Sequence, residues 1–231
     1  MEDVGGEDLV PFGSFTQLVA AIANWISREG LNDPIAAHIP DWVTLFEARA
    51  NTEIRSRFSI VNTTVTVDLT SANPQLIPLP ADYNGLAVAW NAAQPPPSAY
   101  ASSFLYPLAV KSPVQQVNDS SFYQKGMPWS FSILGNNIVL TKIPDAAYAF
   151  GFSYYAELQS LTDPNNTSGT NWLLQRYPGI YLYGSLSVSA PYLGEDQRQS
   201  WETRYKEAVR LALLNEEFER YSGQVFAVRA I

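Results

Sequence analysis

The chain has 231 residues, 46% hydrophobic and 13% aromatic, enough for one or two domains with a sizeable core. Its charged fraction is 16%, below the roughly 25% of an average soluble domain, which argues against a disordered chain and a coiled coil. Fourteen Lys and Arg against 22 Asp and Glu leave a net charge of −8, which argues against a phosphate-tracking nucleic-acid reader or an anionic-membrane binder.

There is no cysteine, which removes disulfide scaffolds, thiolate zinc sites, iron–sulfur clusters and thiol catalysis. His38 is the single histidine, so of the metal sites only an all-carboxylate one would be open. The start, MEDVGGED, carries Glu2, Asp3, Glu7 and Asp8 with neither a base nor an apolar run. Residues 1–13 are therefore expected to be an acidic tail, not a secretory signal. No stretch reaches the roughly 18 apolar residues of a membrane span, so a soluble chain is expected.

Residues 14–59 read as helical. Ser14 and Gln17 form a capping-box pattern, and Phe15, Leu18, Val19, Ile22 and Ile26 follow as one helical stripe. Gly30 is a stop, and Asp33-Pro34 and Pro40-Asp41 are restart signals. Val43, Phe46, Ala50, Ile54 and Phe58 mark the next apolar stripe. Arg49/Glu53 and Glu53/Arg57 are expected as i, i+4 pairs on its wet side.

Residues 60–160 have a different composition; 60–165 hold only nine charges. Short β-rich runs recur between turn signals: Thr64–Leu69, Leu86–Trp90 and Tyr148–Glu157. Trp129–Leu134 and Ile138–Thr141, joined by Gly135-Asn136-Asn137, predict a hairpin, since Gly and Asn tolerate positive φ. Ser112–Ser120 fits a short helix, and Pro95–Pro97 fit a stiff spacer loop.

Residues 161–222 return to helix. A polar turn-rich loop, 161–170, leads to a short helix capped by Thr170 or Asn171. Pro178 opens the next helix, with bulky Ile180, Tyr183 and Leu186 on one side and small Gly184, Ser185, Ser187 and Ser189 on another. Gly194 is its stop. The longest helix is expected from Glu195 to Tyr221, with Trp201, Tyr205, Ala208, Ala212 and Asn215 along one line, and Gly223 as its end. Residues 223–231 form an apolar tail in which Val225, Phe226, Val228 and Ile231 would dock on this protein's own surface or on a neighbouring chain. The pattern predicts an α+β fold: a helical bundle formed by the N- and C-terminal segments, with an inserted antiparallel β domain.

Candidate chemistry is sparse. His38 lies near Asp33 and Asp41, but no G-x-S-x-G elbow supports a hydrolase triad. Asp82, Glu157 and Asp163 are the carboxylates a glycosidase pair would draw on. Phosphate-binding glycine motifs are absent from the sequence. Asn62, Asn118 and Asn166 match the N-glycosylation pattern in loops rich in Asn, Ser and Thr. No enzyme, no cofactor and no metal site are expected.

Four segments, in their order and spacing, resemble a known family. They are Leu18–Arg28, Ile39–Arg49 with its Glu47-Ala48-Arg49 centre and the basic Arg55 and Arg57, Ile77–Tyr83 with Leu-Pro-Ala-Asp-Tyr, and Thr170–Gly184 followed by Ala190–Leu193, Trp201 and Tyr205. This order resembles the head-to-tail adaptor (head-completion or connector) proteins of tailed bacteriophages. The acidic start, the Pro95–Pro97 loop and the rarity of Lys depart from that pattern. The resemblance implies a structural virion protein at the head–tail junction, assembled in the host cytoplasm as a homo-oligomeric, dodecameric ring. Its implied partners are the portal protein and a tail or tail-terminator/connector protein. DNA would pass through the channel without specific binding. The competing reading is a carbohydrate-binding β-sandwich module with a helical frame, resting on Trp90, Trp129 and Tyr155 in the charge-poor middle.

Overall fold

A computed structural model describes residues 12–26, 35–91, 106–193 and 198–221. The chain is α+β and divides into two compact units, one made of residues 1–58 with 158–231 and the other of 59–157. Among the described residues, no helix is long and apolar enough to cross a membrane.

The first unit is helical. Helix α1 spans Phe15–Trp25, and Ser14 accepts from the Gln17 backbone N–H at its start. The Gln17 side chain returns one residue further back than a capping box requires, accepting from Gly13 N–H at 2.9 Å. Helix α2 spans Ile39–Glu53, with Pro40 and Asp41 in its first turn, where a missing N–H and a negative charge are both favourable. It stops at Glu53; Ile54 is its extended cap, and a 3-10 turn, Arg57–Ser59, follows. The apolar stripe therefore outruns the helix: Val43, Phe46 and Ala50 are buried from α2, while Ile54 and Phe58 belong to the exit. Gly30, Asp33 and Pro34 lie outside the described residues, as does the Gly194 stop.

Helix α4, Trp172–Arg176, is capped by Asn171, whose side chain accepts from Leu174 N–H at 3.0 Å. Helix α5, Pro178–Leu193, buries residues on all sides, from Ile180, Tyr181 and Leu182 to Ser185, Leu186 and Ala190. Such all-round burial marks a central helix, and α1, α2, α4 and the helix Arg198–Tyr221 (α6) all contact it. Gly184 explains how close α2 comes: a Cβ there would sit 2.2 Å from the Phe46 ring. Helix α6, described over Arg198–Tyr221, presents Trp201, Tyr205 and Ala212 inward. The line ends on buried Glu216, not on Asn215, which is exposed.

The second unit, residues 59–157, pairs two four-stranded sheets around one core. The first sheet has the order β1 (Ile60–Thr66), β8 (Ala149–Ala156), β3 (Tyr83–Asn91), β4 (Tyr106–Pro107), all antiparallel. The second has the order β2 (Leu76–Pro78), β7 (Asn137–Leu140), β6 (Ser130–Leu134), β5 (Ala109–Val110), with β5 parallel to β6. Phe150 and Phe152 from the first sheet meet Phe131, Ile138 and Leu140 from the second. Phe131 and Phe152 stack edge-to-face at 6.0 Å. Leu134 pairs with Asn137, so the hairpin loop is only Gly135-Asn136, with Gly135 at φ 57°. The short helix α3, Pro113–Val117, carries a complete capping box from Ser112 and Gln115. Pro95–Pro97 lie outside the described residues.

Candidate functional site

The helical unit is locked by two polar networks that bring distant segments together. In the first, Glu47 is almost fully buried on α2. Its carboxylate accepts from Ser160 Oγ at 2.5 Å, Leu161 N–H at 2.9 Å and Tyr181 Oη at 3.0 Å. Asn171 Nδ2 donates to the same Tyr181 oxygen at 2.5 Å, so the α4 cap joins the network. Burial pushes the Glu47 pKa up against the three hydrogen bonds that favour its charge. The Tyr181 phenol is likewise pushed well above its ordinary range by burial.

In the second network, Arg49 forms a two-point pair with Glu202 of α6 and also reaches Glu53 at 2.8 Å. Its guanidinium lies 4.4 Å over the Tyr205 ring, and Tyr205 Oη donates to Glu53 at 2.7 Å. Ser187 Oγ of α5 donates to Glu202 at 2.6 Å, so three helices share one ion pair. The Arg49 hydrogen bonds hold the Glu202 pKa down to about 2. An open recess of about 430 Å3 is lined here by Arg49, Glu53, Ser187, Val188, Pro191 and Glu202. Its charged side chains are engaged with one another, so it holds packing contacts in place of a poised acid or base. A third contact ties the end of α6 to the exit from α2. Buried Glu216 accepts from Ser56 Oγ at 2.6 Å and from Arg57 N–H at 3.1 Å, and Arg57 pairs with Glu219.

With α6 fixed in this way, its other side is set as well. Leu211, Leu214 and Phe218 point outward, and Phe218 is 74% exposed. Val225, Phe226, Val228 and Ile231, expected to dock on a partner, lie outside the described residues, as does Gly223.

The residues considered for catalysis are not gathered into a site. His38 is exposed; its Nδ1 lies 3.2 Å from Asp41 and its ring 5.4 Å from Tyr192, an arrangement at the start of α2 with no serine in it. Asp82 and Glu157 are neighbours through the backbone, Glu157 N–H donating to the Asp82 carbonyl at 2.7 Å. Their side chains are exposed, and the Asp82 carboxylate is occupied by Tyr154 Oη at 3.0 Å. Asp163 organises its own loop, accepting from Asn165 N–H at 2.8 Å. The gap between the two sheets has a volume of only about 10 Å3, room for a single water. Among the described residues, no group of three or more metal-ligating acids or histidines is assembled.

Two of the three aromatics proposed for sugar binding, Trp90 and Trp129, make contacts within the β unit. The Trp90 ring packs directly on Gly151, where a Cβ would come within 2.2 Å of it. Trp129 is covered on one face by Lys111 Nζ at 4.0 Å, itself paired with Asp119 at 2.5 Å. Asn62 accepts from Ser153, and the buried Asn166 side chain donates to the Ser160 and Thr170 carbonyls, at 2.9 and 3.2 Å. These asparagines hold structure together.

What remains is a protein of internal networks and outward surfaces, and one comparison says what kind. The model of the SU10 adaptor protein family matches residues 14–228. The chain belongs to that family. It is thus a phage adaptor, a structural component of the virion. No curated protein matches the chain.

Several residues that hold the adaptor together carry no clear role in the sequence alone. From sequence, Glu47 and Arg49 stand only in the Glu47-Ala48-Arg49 run, and Arg49/Glu53 only as a wet surface pair. The pair forms, but the same guanidinium turns inward to Glu202. The Glu53/Arg57 pair is replaced: α2 ends between them, and Arg57 turns to Glu219. A usable signal was present for Glu47, which stands on the buried stripe four residues after Val43 and three before Ala50.

Proposed function

We propose that this adaptor forms the homo-oligomeric, dodecameric ring that joins the portal to the tail and extends the DNA channel. The family match over residues 14–228 is the observation that carries this reading. The ring would sit at the head–tail junction of the virion, assembled in the host cytoplasm, with the portal on one side and a tail or tail-terminator/connector protein on the other.

In this reading the helices of 14–59 and 161–222 act as a single bundle, and the β domain of about 60–160 is an insertion in it. Residues 1–13 are an acidic tail, and 223–231 dock on the portal through Val225, Phe226, Val228 and Ile231. Ring closure requires a heterologous contact, two different patches on each copy meeting head to tail. The networks that hold α2, α5 and α6 together support a rigid body able to carry such patches. A net charge of −8 per copy supports a channel that repels phosphate and lets DNA pass without gripping it.

Light scattering tests the proposal: the purified chain is sized alone and then mixed with purified portal. A shift to a ring-sized complex is expected. A monomer in both conditions would refute it.

A further inference from the structure

Leu211, Leu214 and Phe218 recur at i, i+3 and i+7 on α6, so they share an arc of about 60° on one side of the helix. They are 53%, 37% and 74% exposed, on the side away from buried Trp201, Tyr205, Ala212 and Glu216. None of the three is part of the core of the helical unit among the described residues. An apolar face of this kind beside a well-packed one is the pattern of a docking seat for a helix or strand.

We propose that in the free chain residues 222–231 fold back in cis onto this face, with Leu211, Leu214 and Phe218 as the seat. Three observations favour this occupant. The first is reach. The seat is about 10 Å long, seven residues at 1.5 Å each. Residues 224–231 span about 12 Å if helical and about 26 Å if extended, enough in either form. They also start at the right place, beyond Tyr221 at the end of the same helix, and Gly223 permits a chain reversal.

The second is composition. Val225, Phe226, Val228 and Ile231 match an apolar seat, and the single charge of the segment is Arg229. The one charge inside the arc of the seat is Glu207, at the end the folded-back segment would reach last. The third is concentration. A segment tethered by a few residues samples its own helix at an effective concentration on the order of millimolar, far above a second copy at micromolar concentration. Equal contacts therefore favour the cis arrangement.

This deepens the proposed role, on which its purpose rests. The same apolar residues would be sheltered before assembly and handed over to the portal during it. The cis contact itself needs no portal.

The test is hydrogen–deuterium exchange of the full chain, alone, across a tenfold range of micromolar concentrations. Amides of 224–231 are expected to exchange at least about tenfold slower than a free coil in the parent. They are expected to reach the coil rate in the Leu211→Ser/Phe218→Ser double variant. Both substitutions are at exposed positions, so the core is spared, and amides of α2 and α5 report that it is intact. Coil-rate exchange in the parent would overturn the proposal, as would protection that survives in the variant. Protection that grows with concentration would make the occupant a second copy and overturn it too. No portal is present, so a failure of portal binding leaves this result standing.

Discussion

Arg49 and Glu202 are 153 residues apart in the chain, and their side chains meet as two parallel hydrogen bonds of 2.9 and 2.7 Å. This planar fork-to-carboxylate pairing is the strong form of an ion pair, and here it is partly shielded and shared with Ser187, Glu53 and the Tyr205 ring. Arg49→Met should destabilise the chain by about 1–2 kcal/mol in chemical denaturation, because Glu202 loses its partner. Arg49→Lys should not restore the parent value, since an ammonium cannot form the fork. Lys206→Ala removes a 3.2 Å contact from a largely exposed side chain and should cost less than about 0.5 kcal/mol. Equal losses for Arg49→Met and Lys206→Ala would contradict this ranking.

The same pair sets an acid limit. The Glu202 pKa is lowered in the folded chain to about 2, against about 4.3 when unfolded. A depressed folded value means that stability is fully present above the unfolded pKa and is lost as pH falls through about 4 toward 2. Glu202→Gln should therefore flatten the stability profile in that window while lowering its plateau near neutrality. Denaturation midpoints measured from pH 2 to 7 would show it; an unchanged acid limb in the variant would refute it.

Glu47 has the opposite sign. Its folded pKa is raised by burial, so ionising it costs stability, and the cost is relieved as pH falls through the folded value. Glu47→Gln keeps an acceptor for Leu161 N–H and Tyr181 Oη and should change neutral-pH stability by less than about 1 kcal/mol. Glu47→Ala strands those donors in the interior and should cost about 2–4 kcal/mol. A comparison of the two variants by urea denaturation decides this; equal losses would mean that shape, not hydrogen bonding, is what Glu47 supplies.

The small-residue side of α5 gives a steric prediction. A methyl at Gly184 would lie 2.2 Å from the Phe46 ring, whereas one at Gly179 would meet only Tyr183, at 3.9 Å. Gly184→Ala should lower stability by about 1–3 kcal/mol through overpacking between α2 and α5. Gly179→Ala should be neutral or stabilising by up to about 1 kcal/mol, as alanine loses less backbone entropy in a helix. Thermal melts of the two variants should diverge in sign; a Gly184→Ala variant at least as stable as the parent would show that α2 gives way.

Elements with a strong local signal were legible in the sequence. Ser14 and Asn171 are caps, Pro40 and Pro178 lie in first turns, and the β6–β7 hairpin forms around Gly135. Phe46 and Tyr205 in the core followed from periodicity on α2 and α6, whereas Tyr181, which packs against Phe46, lies off the bulky side expected of α5, Ile180, Tyr183 and Leu186. What periodicity cannot show is where a polar side chain goes when two helices meet. Arg49 and Glu202 are each unremarkable surface charges until α6 is laid beside α2. Glu216 displaces the expected Asn215 from the buried line because Ser56 and Arg57 N–H supply partners from another segment. The strand pairing of β1 and β3 with β8 is also non-local, since β8 follows them by scores of residues. The proposed docking rests on the apolar composition of 225–231, a pattern that names a surface and no particular partner.

The proposed docking gives the last prediction. Among the described residues, the core of the helical unit is built from residues between Leu18 and Ala212. On the proposed reading, deleting 224–231 removes a surface contact and no core, so the truncated chain should stay folded, with far-UV circular dichroism close to that of the parent. If Val225, Phe226, Val228 and Ile231 are the anchors on the portal, the truncated chain should lose attachment at concentrations where the parent binds fully. Buried aromatic and aliphatic anchors carry most of the energy in such contacts, so Phe226→Ala alone should weaken attachment at least about tenfold. Co-sedimentation with purified portal reads both effects. Full attachment by the truncated chain would move the portal contact elsewhere on the adaptor, and a truncated chain that unfolds would assign 224–231 to the fold instead.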